Sequence, residues 1–279
     1  MNGKSSRSEV EAGHWFRWAQ PVLVAVTLAV VTCNIWLALG LWQEKRSGAR
    51  ERDFWLLCQP GSTPLERQTA FYHLVAGGNR EWRAADLRSL NLAGLALAGA
   101  ELEQASFVRA NLAGANLSGA KLFRSTLELA DLSGADCALA NLTEAKLLQA
   151  VLRGGTFRRA RLSASSLEQV QAERADFSWA DLTDADCRMA NFTGAKLMGA
   201  NLTGAKLESA VFKGADLSLA RLEGTDLTDA NFTDANWWCA RGLTTEQLSA
   251  LKSKFPPSAS ASAAWKEDYA RWSVEPKTR

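Results

Sequence analysis

From Ala85 to Cys239, apolar and polar positions recur in steps of five: Ala, then Asn or Asp, then Leu, then two variable residues, as in Ala115-Asn116-Leu117-Ser118-Gly119. The run holds 31 pentads without insertion or deletion; the central position, 87, 92 and so on to 237, is Leu or Phe in 27 of them, and the residue two before it is Ala in 24. Such a register is incompatible with either regular element. On an α-helix, steps of five rotate each Leu by about 140° from the last and scatter the apolar set over every face. On a flat strand, side chains alternate faces with period two, so an odd repeat sends successive Leu residues to opposite sides. The chain must turn once per pentad, which lets Leu and Ala point inward each time while Asn or Asp and the two variable positions face water. The predicted fold is an all-β solenoid whose coils are stabilised by their neighbours.

In this motif the run resembles the pentapeptide repeat proteins, and the resemblance implies a right-handed quadrilateral β-helix with four pentads per coil, hence about eight coils over 85–239. The spacing of twenty between Phe192, Phe212 and Phe232, and between Phe157 and Phe177, agrees with stacking on single sides. Departures from the motif are few. Cys137 and Cys187 occupy central positions, Ala172 underfills one, and the ring of Phe192, one coil on, is expected to fill that space.

A single coil gains about 2 kcal/mol from each of four Leu or Phe residues, against about 1 to 2 kcal/mol of backbone entropy per ordered residue. It cannot stand alone, so the flanks read as short helical caps. Residues 62–84 carry a capping box at Thr63-Pro64-Leu65-Glu66, an apolar side of Leu65, Phe71, Leu74 and Val75, and a Gly77-Gly78 stop, predicting an N-terminal cap helix. Residues 240–257 repeat the device at Thr244-Thr245-Glu246-Gln247 and end in Pro256-Pro257, predicting a C-terminal cap helix. In 258–279, a Ser/Ala-rich linker leads to an amphipathic tail with Trp265, Tyr269 and Trp272 at helical spacing.

Ahead of these, residues 1–20 form an N-terminal flank and 43–61 a charged juxtamembrane linker. Between them, 21–42 is an apolar run of 22 residues, about 33 Å as a helix, long enough for one N-terminal transmembrane helix. A cleaved signal peptide is the competing reading, with a bulkier leading region and a longer apolar run than is usual. The expectation is a single-pass membrane protein. Its orientation is barely decided by three basic residues before the run and four after it, and the unpaired interior cysteines favour a cytoplasmic repeat domain.

Composition adds little to fold but narrows function. Net charge is +2, the repeats contain no histidine, and there is no Gly-rich phosphate loop or Cys/His cluster at metal spacing, so no catalytic, cofactor-binding or metal site is predicted. His73, on the predicted first helix, reads as a plain surface residue. Some members of the family bind type II topoisomerases such as gyrase by imitating DNA, which makes that the alternative function. Residues 165–240 do carry twelve acids against six bases, but down columns of spacing twenty the signs alternate, Asp176, Lys196, Asp216 and Asp186, Lys206, Asp226, which reads as pairing between coils.

The candidate site is a set of apolar residues at outward corner positions: Leu139, Trp179 and Leu219, forty apart and so on one side, with Met198 between them and Arg158 and Arg159 one coil from Trp179, within reach of a cation–π contact. Either the tail helix around Trp265 covers this stripe or a partner does. The sequence thus predicts a membrane-anchored, non-catalytic scaffold for protein–protein interaction. It is expected to engage an unidentified protein partner or a second copy of itself, with no direct nucleic-acid binding.

Overall fold

The computed structural model describes residues 51–274 apart from 58, 60 and 79. Within it, each pentad contributes one bridging residue, one inward central residue and a tight turn. The carbonyl of the central residue accepts from the N–H three residues on, as Leu117 does from Ala120 at 3.0 Å. The second residue inside each turn has positive φ, between +54° and +70° at all 31 turns from Ala84 to Asp234. That is the signature of a type II turn, which suits Gly; here eleven positions are Gly and twenty are not.

The Asn or Asp before each central residue has a local task. Its Oδ1 accepts the N–H of the residue two on, as Asn116 does from Ser118 (3.0 Å) and Asp131 from Ser133 (2.9 Å), closing the corner with a side chain. Asn and Asp interchange because either supplies that oxygen.

Every bridge is parallel and joins residues twenty apart, from Glu81↔Glu101 to Arg221↔Arg241, so four pentads complete a coil and the cross-section is four-sided. Along the ladder the central N–H donates to the carbonyl nineteen residues on, as Leu117 does to Asp136 at 2.7 Å. Among the described residues there is no extended strand, only single bridges. A five-residue side that spends two residues on a corner leaves room for one ladder residue, so this β-helix is built from corners more than from strands.

Central residues fill a dry interior: all are buried from Leu87 to Phe232 except Leu227. Phe157 stacks on Phe177 (centroids 4.9 Å), and Phe192, Phe212 and Phe232 stack at 5.2 and 4.9 Å on the adjacent side. Where Ala172 leaves the second column short, Phe192 meets Phe177 edge-on at 5.6 Å, and the aromatic spine crosses from one side to the next.

The bridging pattern begins at Glu81, one pentad ahead of the sequence motif, with Trp82 as its buried central residue. Helix α1, Pro64–Ala76, starts at a formed capping box on Thr63 and packs Phe71 on Trp82 at 4.4 Å. Arg67, nearly buried, pairs with Asp86 at 2.5 Å. Residues 51–57 are helical, and the Leu57 carbonyl accepts from Asp86 N–H at 2.7 Å, the acceptor place a preceding coil would fill. At the other end a 3₁₀ turn, Trp237–Cys239, replaces the last corner. It is followed by α2 (Thr245–Lys254), again with a formed capping box, and α3 (Ala263–Val274).

One expectation is corrected. Among the described residues no helix is long and apolar enough to cross a membrane. The longest, α1, has 13 residues, about 20 Å against a hydrocarbon core of about 30 Å, so the single-pass membrane localisation is withdrawn. The 21–42 run on which that expectation stood lies outside the described residues, as do Cys33 and Cys58.

Candidate functional site

The corner that turns the chain also decides what the solvent sees. A residue in the left-handed well of a turn cannot reach the core, so any bulky apolar side chain there is exposed. Leu139, Trp179 and Leu219 all occupy this position, with φ of 60°, 62° and 62°, and Met198 sits one residue earlier in its corner. They remain 64%, 49%, 39% and 37% exposed, respectively. At about 4.8 Å per coil the stripe from Leu139 to Leu219 runs roughly 19 Å along one edge.

Trp179 is the anchored member. A Cβ built on Gly199, the equivalent corner one coil on, would meet the indole of Trp179 at 2.5 Å, so the ring lies over the bare glycine. Gly199 thereby provides both the positive φ of 66° and the floor for the ring. Ser178 beside it is buried. Arg158 and Arg159 lie one coil below, exposed and without an ion pair among the described residues. Cation–π contacts among the described residues are Arg124 on Phe123 and Lys252 on Trp272, so neither arginine stacks on Trp179.

The tail helix goes elsewhere. In α3, Tyr269 packs on Trp238 (4.9 Å) and Trp272 on Trp237 (5.4 Å), while Asp268 accepts from Trp238 Nε1 at 2.9 Å and Cys239 Sγ at 3.2 Å. Its aromatic face is therefore spent on the end of the solenoid, and the stripe stays open. Sequence reasoning missed Leu129 and Met189, also exposed in left-handed corners, on the opposite side. The signal was the same: a bulky apolar residue two after a central one.

Charges on the sides pair between coils. Lys121 with Glu101 (2.6 Å), Arg124 with Glu144 (2.7 Å), Arg153 with Glu173 (3.1 Å) and Arg188 with Glu168 (3.3 Å) each join residues twenty apart, and Lys206 reaches Asp186 at 4.0 Å. Burial, with Asp136 and Asp186 adjacent, pushes the Cys137 and Cys187 thiols far above their ordinary range. They are core filling rather than nucleophiles. Among the described residues no group of His, Cys, Asp and Glu is arranged to hold a metal ion.

Comparison with known proteins follows the repeats. The pentapeptide repeat family matches in eight copies over 85–128, 120–159, 130–169, 160–199 and 195–234, together more than half of the chain. Curated proteins give no match. Among solved structures, HetL, a pentapeptide repeat protein involved in heterocyst differentiation regulation from the cyanobacterium Nostoc sp. strain PCC 7120, is 26% identical, covering 60% of this chain and 95% of its own at a TM-score of 0.27. The pentapeptide repeat protein alr5209 from Nostoc PCC 7120 is 32% identical over 38% of this chain and 84% of its own, TM-score 0.34. Full-length QnrB1, a plasmid-mediated fluoroquinolone resistance protein, is 19% identical over 62% of this chain and 98% of its own, TM-score 0.39. At such TM-scores these structures add nothing to the repeat match, which alone places the chain. The chain belongs to the pentapeptide repeat family, and its solenoid is the right-handed β-helix of that family.

Proposed function

We propose that the chain is a non-catalytic interaction scaffold, a stiff solenoid that offers the stripe of Leu139, Trp179, Met198 and Leu219, flanked by Arg158 and Arg159, to a protein partner. The supporting observation is Trp179. A large aromatic residue held in a left-handed corner, half exposed and laid over a glycine, has no folding reason to be there, since Gly serves the turn better. Exposed aromatic and arginine residues together are the composition of binding hot spots. The terminal helices act as caps in this reading, closing the two ends and leaving the sides free.

The test is site-specific photocrosslinking in cells, with benzoylphenylalanine in place of Leu139 and, as a control, in place of Asp184 on an adjacent side. A discrete adduct from the first position, lost when Trp179→Asp is added without change in thermal stability, supports the scaffold. Equal adducts from both positions, or none, would count against it. The alternative, imitation of DNA toward a type II topoisomerase, requires unbroken acidic rows, and the pairing between coils breaks them. Purified protein is accordingly expected to leave gyrase supercoiling unaffected at micromolar concentration.

A further inference from the structure

At the C-terminal edge of the solenoid the ladder stops where the chain departs into its last helices, leaving main-chain groups of the final coil unpaired among the described residues. In interior coils, the N–H groups of a central residue and of the residue two on run along the axis to carbonyls of the next coil, as from Leu207 to Asp226 (2.9 Å) and from Ser209 to Thr228 (2.8 Å). One coil later the chain has left the ladder for α2. The equivalent N–H groups of Leu227 and Asp229 therefore have no acceptor, and the Ala230 carbonyl no donor, among the described residues. On the neighbouring side the ladder continues to Arg221↔Arg241. Leu227 is the one partly exposed central leucine, because the coil that would cover it is missing.

Between this edge and α2 lies a groove of about 470 Å³, within the range of ligand sites. Leu227, Ala230, Leu251 and Phe255 give it an apolar floor, and Asp226, Asp229 and Glu246 line it against a single cation, Lys254.

We propose that this groove takes an extended, basic segment of a partner protein, which adds to the rod as part of a further coil. Three features select that occupant. Two axial N–H donors two residues apart call for two carbonyls at the same spacing, which an extended backbone supplies. The floor of Leu227, Leu251 and Phe255 accepts an aliphatic side chain. Three carboxylates facing one ammonium repel anions and favour Lys or Arg. A second copy stacked by two-fold symmetry is disfavoured, since it would set Asp226, Asp229 and Glu246 of one edge against the same carboxylates of the other. The site stands apart from the lateral stripe and does not depend on it.

The full-length chain would be titrated against fluorescein-labelled acetyl-Lys-Leu-Lys-Leu-Lys-Leu-amide by fluorescence anisotropy, with the Glu-for-Lys peptide as the comparison. Ala250→Trp, at an exposed α2 position lining the groove, and Glu246→Lys, at its rim, are each expected to weaken binding by about tenfold or more with an unchanged melting temperature. Amide resonances of Leu227 and Asp229 are expected to shift with the Lys peptide alone. No binding of the Lys peptide, binding by either variant as tight as by the unsubstituted chain, or shifts confined to another acidic face would overturn the proposal.

Discussion

A left-handed corner penalises any residue with a Cβ, by about 1 to 2 kcal/mol before the entropy advantage of a non-glycine residue in the unfolded chain is subtracted. Twenty corners carry that burden, and they do not carry it for one reason. At Arg124 the long side chain reaches Glu144, the equivalent corner one coil on, whereas Leu139 is left largely exposed. Leu139→Gly is therefore expected to raise stability by up to about 1 kcal/mol in chemical denaturation, while removing apolar surface from the stripe. The converse change, Gly199→Ala, sets a Cβ against the Trp179 ring and adds strain at φ +66°. It should cost about 1 to 2 kcal/mol and displace the indole, seen as a shift in tryptophan emission. This difference was only half legible in the sequence. The spacing identified which side chains face water, but a glycine under a ring cannot be told from a glycine needed for a turn until the lean of Trp179 toward the next coil is known.

At the scale of elements, the pentad legislated its own geometry. Five residues with a fixed inward Leu and a corner leave one ladder residue, so the coil follows from the repeat without help from β-propensity. The aromatic spine shows how far that logic extends, because Phe192 both continues its own column and meets Phe177 edge-on on the adjacent side. Phe192→Ala is expected to cost about 3 to 5 kcal/mol, since it opens a cavity where a neighbour is already small, whereas Phe232→Ala, near the end, should cost less. The helices were legible to the same extent as their signals were local. Capping boxes at Thr63 and Thr244 are formed, and Trp265, Tyr269 and Trp272 do share one packed face. Where that face would dock was not legible, because an amphipathic helix encodes the need for an apolar partner and not its address. The address is set by Trp237 and Trp238, whose N–H groups need acceptors at Phe255 and Asp268. Deleting 258–279 should red-shift the emission of these two tryptophans and lower the melting temperature, with the bridge pattern of the middle coils retained in hydrogen exchange.

For the whole molecule, the same division between a self-supporting middle and dependent ends predicts how acid acts. The paired charges along the sides are mostly solvent-exposed and contribute little each. Two carboxylates differ because they hold an end in place. Burial pushes Asp86 upward, but hydrogen bonds from Arg88 and the charges of Arg67 and Arg88 outweigh it and leave the group below its ordinary range. Asp216 likewise feels burial first, and hydrogen bonds from Ser218 and Asn236 bring it down; Asn236 in turn accepts the Leu217 N–H on its side-chain Oδ1, in the place its own main-chain carbonyl would hold in a regular coil. A carboxyl with a lowered folded pKa contributes stability that is complete above its unfolded value, about 4, and is lost as pH falls through the folded value. Stability should therefore stay flat from about pH 8 to 5 and decline below about pH 4. The loss should start at the ends: in hydrogen exchange at pH 3, amides of α1 and of the 237–241 turn are expected to open first, with residues 120–200 still protected. Asp86→Asn and Asp216→Asn should flatten the acid limb while lowering the neutral plateau. Uniform loss of protection along the rod would mean that the coils, and not their ends, limit its stability.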